Sequence, residues 1–151
     1  MMTDESVDME KKKELIVKQT CFSQFNPNEI DVLASLLKEI HFSPEEAIVK
    51  EGDPVDSVYL IVKGTTEVRH VKLENNVPVI EYVATLKEGD AIGLNETGFY
   101  SISGVRTATV IAVTDVIALR LSMTQFHGFS LAYSHVSEVM RKQARKFLHF
   151  K

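Results

Sequence analysis

Several features are missing from this sequence of 151 residues, and each absence excludes a class of protein. Cys21 is the single cysteine, so an internal disulfide is impossible and a reducing compartment, the cytoplasm, is expected. No apolar run approaches the roughly 20 residues that span a bilayer, and the acidic N-terminus has no hydrophobic signal core. The net charge of −4 argues against a nucleic-acid binder with a broad cationic surface. We therefore expect neither a membrane nor a nucleic acid as partner.

Patterns that carry catalysis or hold metals are missing as well. The sequence contains no Gly-x-Ser-x-Gly turn and no phosphate loop with Gly-Lys-Ser/Thr. Cys21 has no matched histidine constellation, which indicates a buried thiol and not a nucleophile. The histidines do not pair at a metal-ligand spacing on any predicted element; they are His41, His70, His127, His135 and His149. The sequence therefore predicts a protein that is not an enzyme and holds no metal or cofactor.

What is present predicts one domain over residues 1–151 with helices at both ends. The apolar fraction of 44% and the charged fraction of 25% are those of a globular protein with a substantial core. We expect residues 1–6 to be disordered and 7–40 to form N-terminal helices. The segment 41–121 reads as short strands, and 122–151 returns to helix.

The second N-terminal helix has the clearest start signal. Asn26 can cap it, Pro27 suits the first helical position, and Glu29 stands where the acid of a capping box belongs. Pro44 and the β-rich sequence beyond it predict that this helix ends near Ile40.

The C-terminal part shows similar signals. Ser122 and Gln125 form another capping pair, and Gly128 is expected to break the short helix that they begin. A longer helix is predicted over 130–147, with one buried stripe formed by Val136, Val139, Met140, Gln143 and Phe147.

Between the helices, short β-branched runs alternate with turn formers such as Gly64 and Glu88-Gly89-Asp90. Such a succession without intervening helices predicts an antiparallel sandwich or barrel. The predicted strands are 47–50, 58–63, 66–71, 77–86, 106–112 and 115–121. The second of them, 58–63, is apolar on both faces, so we expect both faces to be covered, in part by the flanking helices.

The loop that includes Gly89 and Gly93, followed by Arg106, carries the chemical signal. Glycine allows backbone N–H groups to approach an anion closely. An arginine can complete such a site with a bidentate, charge-assisted grip on a phosphate. The pattern indicates a site that holds a phosphate-bearing small molecule without transforming it.

These features together resemble the cyclic nucleotide-binding domain family. Three pieces of sequence carry the resemblance, in the family's order: Glu51-Gly52-Asp53 with Asp56 and Gly64, then Gly89-Asp90 with Gly93, then Arg106-Thr107-Ala108-Thr109-Val110. The resemblance implies a mainly β fold, an antiparallel β-roll of the double-stranded β-helix or jelly-roll type with N-terminal helices and a C-terminal lid helix. It also implies a regulatory module that binds cAMP or cGMP and passes its occupancy through that helix to a protein partner or a second copy.

The resemblance also implies roles for particular residues. Arg106 stands where the family's arginine pairs with the cyclic phosphate, and Gly93 where a short helix begins with its amides towards the same anion. Thr107 stands where some members use a hydroxyl to favour guanine, and Glu96 is a candidate acceptor for the ribose hydroxyl. The predicted ligand-binding residues are Gly93, Leu94, Asn95, Glu96, Arg106 and Thr107.

Alternatives to this interpretation follow from Leu94, because the family usually has a glutamate there that accepts a hydrogen bond from the ribose. The same fold with a degenerate pocket could serve as a structural or protein-interaction module. The site could also bind another anionic small molecule. A metal-dependent barrel enzyme of the cupin type is disfavoured, because it typically has two histidines separated by one residue on a strand.

Overall fold

The computed structural model describes residues 7–95, 98–99 and 104–148. No helix within these residues is both long and apolar enough to cross a membrane. The described elements, in chain order, are α1 (Met9–Lys18), a 3-10 turn (Thr20–Phe22), α2 (Pro27–Leu36), β1 (Lys38–Phe42), β2 (Ala47–Val49), β3 (Ser57–Lys63), β4 (Thr65–Glu74), β5 (Val77–Lys87), β6 (Ala91–Ile92), β7 (Leu94–Asn95), β8 (Gly98–Phe99), β9 (Thr109–Ala112), β10 (Val116–Ser122), α3 (Met123–Ala132) and α4 (Ser134–Leu148).

Helix α2 begins as the sequence predicts but ends earlier. The Asn26 side chain accepts from the N–H of Glu29 at 2.9 Å, and the Glu29 carboxylate accepts from the N–H of Asn26 at 2.8 Å, which completes a capping box. The predicted end near Ile40 is wrong, because the backbone is already extended at Leu37 and β1 begins at Lys38. Pairing of β1 with β10 supplies hydrogen bonds that the helix could not offer to these residues.

The strands form an antiparallel β-roll, as predicted. One sheet has the order β1-β10-β3-β6 and the other the order β2-β9-β4-β5, while β7 pairs with β8. Strand β3 is buried on both faces, as expected: Val58 and Leu60 pack in the cluster formed with the helices, whereas Tyr59 and Ile61 pack between the sheets. Strand β3 therefore contributes side chains to two hydrophobic clusters, one on each of its faces.

Two predicted boundaries are wrong in the second half of the chain. The strand expected over 106–112 begins only at Thr109, because Arg106 is hydrogen-bonded to the loop after β2. Helix α3 runs through Gly128 and ends at Ala132, so this glycine does not break it. Helical φ and ψ angles are open to glycine as to any residue, and the packing of Phe126 and Phe129 holds the turn in place.

Helix α4 buries the stripe that the sequence predicts and is tied to α2 by a polar contact. Val136 and Val139 are buried, and the Phe147 side chain lies outside the described residues. His135 Nδ1 lies 2.9 Å from Oε1 of the buried Glu29, the same carboxylate that completes the α2 capping box. The start of α4 is thereby positioned on the start of α2.

Cys21 is fully buried among the helices, as predicted, and burial raises the pKa of its thiol to about 12. We expect the folded protein to react with a thiol reagent such as DTNB at pH 8 on the order of a thousandfold more slowly than a free cysteine, because so little thiolate forms. The absorbance of the released thionitrobenzoate measures the rate of the thiol reaction. The same chain in concentrated urea is the control and should react at once; equally fast labelling without urea would contradict the burial.

Glu39 on β1 ties the chain before α1 to the sheet. Burial alone raises the pKa of Glu39, but the contact with His41 and the hydrogen bond from the N–H of Val7 outweigh it and hold the pKa below its usual 4.5. A lowered carboxylate pKa stabilises the fold at pH values above about 4.5 and ceases to do so as the pH falls through the folded value.

We therefore expect Glu39→Gln to cost about 1 kcal/mol of unfolding free energy at pH 7. The difference from the natural protein should shrink steadily below pH 4.5, measured by urea denaturation at several pH values. The control is Glu10→Gln, since Glu10 is an exposed residue on α1. A cost for Glu39→Gln that is the same at pH 3 and pH 7 would contradict this role.

Candidate functional site

Arg106 is a buried arginine in the loop between the β7–β8 hairpin and β9, and 8% of it is exposed. Its backbone is fixed on both sides: its N–H donates to the carbonyl of Asp53 at 2.8 Å, and its carbonyl accepts from the N–H of Gly52 at 2.9 Å. Its Nη2 donates to the carbonyl of Ser57 at 2.6 Å. The turn that precedes β3 therefore holds the Arg106 backbone and the first residue of β3 holds its guanidinium, which sequence separation alone would not indicate.

Most N–H donors of the Arg106 guanidinium make no hydrogen bond to another described residue. Within the described residues its side chain makes no hydrogen bond besides that to Ser57, and Asp56 Oδ1 lies 4.0 Å from Nη2, too far for a hydrogen bond. Burial lowers the pKa of Arg106, and the neighbouring Tyr59 and Asp56 offset only part of that decrease. The guanidinium nevertheless remains charged at neutral pH. A buried cation with free donors can bind an oxyanion strongly.

Gly93 lies directly against this guanidinium. Its φ of +94° belongs to the left-handed region, and a Cβ there would lie 2.9 Å from Val58 Cγ1 and 3.3 Å from Arg106 Nη1. Glycine is thus required both by the backbone and by the close approach of Arg106. The short helix expected from Gly93 is not present among the described residues, because Leu94 and Asn95 form β7 and pair with Phe99 and Gly98.

A cavity of about 250 Å³ opens between the sheets beside Arg106, and we call it the apolar cavity. Its only charged lining residue within the described part of the chain is Arg106. Four of the predicted site residues, Gly93, Leu94, Arg106 and Thr107, line it together, whereas the side chain of Asn95 and the whole of Glu96 lie outside the described residues. The full lining is Val49, Val55, Val68, Leu86, Ala91, Ile92, Gly93, Leu94, Val105, Arg106, Thr107, Ala108 and Val110.

The sequence did not reveal the apolar walls of this cavity or the carbonyl that positions Arg106. Val68 and Leu86 alternate inwards along β4 and β5, and this signal is the same as that of ordinary core residues. Ser57 contributes a backbone carbonyl, which no residue-type pattern can indicate. The Asp56 carboxylate beside it accepts from the Ser57 hydroxyl at 2.9 Å.

The arrangement offers one cation at the wall of an apolar hollow, which is suited to binding and not to bond cleavage. Within the residues that the structure describes, no three side chains of His, Cys, Asp or Glu are grouped to hold a metal ion. The chemistry available is the recognition of an anionic group by Arg106, with the rest of a ligand against hydrocarbon.

Comparison with known proteins identifies the family. The model of the cyclic nucleotide-binding domain matches residues 39–133. The chain is 32% identical over 120 residues, 80% of its length, to the cAMP-dependent protein kinase regulatory subunit of Emericella nidulans. It is 27% identical over 127 residues, again 80% of its length, to the cAMP/cGMP-dependent 3′,5′-cAMP/cGMP phosphodiesterase B of Dictyostelium discoideum. It spans only 26% of the first relative and 10% of the second.

The fold has close counterparts among solved structures. The N-terminal domain of a transcriptional regulator from Streptomyces coelicolor A3(2) superposes with a TM-score of 0.75, over 89% of this chain and 90% of that one. At 19% identity this likeness shows the fold alone. The family model, by contrast, covers more than half of the sequence, including β3, β4, Gly93 and Arg106, and the chain therefore belongs to the cyclic nucleotide-binding domain family.

Proposed function

We propose that this chain is a non-catalytic regulatory domain that binds cAMP or cGMP in the apolar cavity. The observation that carries the proposal is the buried Arg106 guanidinium, which lines the cavity and has a single hydrogen bond within the described residues. A cyclic phosphate monoanion placed against it neutralises the buried charge and accepts its remaining hydrogen bonds. The relationship to a cAMP-dependent kinase regulatory subunit supports the same ligand class.

Occupancy is relayed to α4 through Leu94 in this proposal. Leu94 lines the cavity and also packs against the helical cluster that contains Val136 and Val139 of α4. A ligand that moves Leu94 therefore changes the surface on which α4 rests. The domain acts in the cytoplasm and passes this change to a protein partner or a second copy, without contacting nucleic acid or membrane.

Isothermal titration of the protein with cAMP and with cGMP tests the proposal. We expect saturable binding of at least one of them at micromolar concentration or below, and much weaker binding of 5′-AMP, whose phosphate is not cyclic. Chromatography of the ligand after incubation should recover it unhydrolysed. Absence of binding by a protein whose circular dichroism shows it folded would refute the proposal and favour a protein-interaction module.

The relay has a separate readout. Amide chemical shifts of α4, recorded by NMR during the same titration, should move with saturation in step with those of the cavity residues. The exposed residues of α1 serve as the reference, because no residue of α1 lines the apolar cavity. Binding that leaves the α4 amides unchanged would retain the ligand site and reject the relay.

The apolar lining favours a second candidate ligand, another small anion with an apolar body. Leu94 offers hydrocarbon where a ribose hydroxyl would require an acceptor, and an unpaired hydroxyl buried there costs about 1–3 kcal/mol. An apolar carboxylate that binds more tightly than either cyclic nucleotide, and competes with it for Arg106, would favour this candidate.

A further inference from the structure

A second cavity of about 250 Å³ adjoins the first, and we call it the polar cavity. Arg106 and Val49 line both cavities, so the guanidinium belongs to a wall that the two share. The polar cavity is distinguished by Lys50, Tyr59 and Arg120, which do not line the apolar cavity. No step of the proposed cyclic nucleotide function uses these side chains.

Two side chains that line the polar cavity, Arg120 and Tyr59, make no hydrogen bond to another described residue. The carboxylate nearest to Arg120 is that of Asp56, at 3.6 Å from Nη2, beyond hydrogen-bonding distance. Only 8% of Tyr59 is exposed and it lines the cavity, and no hydrogen bond joins its hydroxyl to another described residue. An acceptor placed in the cavity would give this hydroxyl a partner.

Lys50 adds a charge to this set. It makes no ion pair with any carboxylate in the described part of the chain, although Asp53 also lines the cavity. Lys50, Arg106 and Arg120 contribute three positive charges, against two negative charges from Asp53 and Asp56, so the lining has a net charge of +1. An excess of positive charge and of free donors selects an acceptor-rich anion.

We propose that the polar cavity binds a small oxyanion of the phosphate class, held by Arg120, the Tyr59 hydroxyl and Lys50. A guanidinium matches two phosphate oxygens at once, and the hydroxyl and ammonium can donate to the others. The same chemistry is offered by a free phosphate ion and by a small phosphomonoester. The volume of about 250 Å³ exceeds by far the roughly 30 Å³ of one water molecule, and it leaves room for a polyol body beyond the phosphate.

Calorimetric titration of the protein with inorganic phosphate and with glycerol 3-phosphate tests this inference, in buffer whose ionic strength is held constant with KCl. We expect saturable binding of both, tighter for glycerol 3-phosphate. Arg120→Gln should weaken it by at least tenfold, and Tyr59→Phe by several-fold while keeping the ring packing on Phe42. Arg69→Gln is the matched control, because Arg69 pairs with Glu67 outside the cavity, and should change nothing.

Three outcomes would overturn the inference. One is the absence of saturable binding by the folded protein. Another is a loss of affinity in Arg69→Gln equal to that in Arg120→Gln, which would indicate ionic attraction only. The third is a loss of affinity in Thr107→Val as large as that in Tyr59→Phe, since Thr107 lines the apolar cavity and not the polar one.

If inorganic phosphate binds and glycerol 3-phosphate binds no more tightly, the free ion is identified as the ligand. Because the probes contain no cyclic nucleotide, this result does not depend on the proposed function.

Discussion

Replacement of Arg106 by alanine is expected to weaken binding of cAMP or cGMP by about 10-fold to more than 100-fold, the equivalent of 1.5–3 kcal/mol for a hydrogen bond to a charged group. The effect is large because Arg106 is the only charged residue that the described structure places on the apolar cavity. A cyclic phosphate without it would be desolvated against valine and leucine side chains. Isothermal titration of both proteins with the better ligand measures the ratio of dissociation constants.

The matched control for this experiment is Arg69→Ala on β4, which removes an arginine that is paired with Glu67 and does not itself line the cavity. It should leave the affinity unchanged. Arg106→Ala also removes the donor to the Ser57 carbonyl, so its thermal unfolding must be recorded to show that the domain is folded at the titration temperature. If a folded Arg106→Ala protein still binds the nucleotide tightly, the assignment of the ligand site to the apolar cavity is wrong.

Gly93→Ala is expected to destabilise the domain and weaken ligand binding together. The left-handed backbone costs an L-residue about 1–2 kcal/mol, and forcing an additional methyl group into packed surroundings costs about 1–3 kcal/mol more. The new Cβ would stand 2.9 Å from Val58 Cγ1 and 3.3 Å from Arg106 Nη1, so the guanidinium must shift. Urea denaturation gives the stability change, and calorimetric titration gives the change in affinity.

The variant Gly52→Ala distinguishes the cost of a left-handed backbone from the cost of a steric clash with neighbouring atoms. Gly52 has nearly the same φ, +92°, but a Cβ there meets nothing within 4 Å. This variant should therefore lower the free energy of unfolding only by the cost of the left-handed backbone, about 1–2 kcal/mol. It should leave the affinity for the nucleotide almost unchanged. Equal losses of stability and of affinity in the two variants would show that contact with Arg106 is not the reason for glycine at position 93.

The local parts of this fold could be predicted from sequence because their causes are local. The capping box of α2 requires only Asn26 and Glu29 at the right spacing, and both hydrogen bonds are present. The end of the same helix was predicted wrongly, since it depends on β10, a strand more than seventy residues away that draws Lys38–Phe42 into a sheet. Gly128 was misinterpreted for a similar reason: the aromatic packing around α3 outweighs the low helix propensity of glycine.

The candidate site shows the same division. Gly93 and Arg106 could be identified because a glycine-bearing loop followed by an arginine is a chemical signal in itself. Their proximity, with Nη1 at 3.3 Å from the Cβ position of Gly93, follows from the pairing of β3 with β6. The donors of Tyr59 and Arg120 that line the polar cavity had no signature, because each reads as an ordinary strand residue until the strands β3 and β10 place them side by side.

The order of residues alone determined most element types, the helix caps and the identity of the candidate anion-binding arginine, since each depends on side chains a few positions apart. Only the tertiary structure decided that this arginine donates to the Ser57 carbonyl, that no second described residue accepts from its side chain, and that it lies between an apolar cavity and a polar one. The reason is physical: burial and hydrogen-bond satisfaction depend on what the rest of the chain places around a group, and a linear pattern contains no information about empty space.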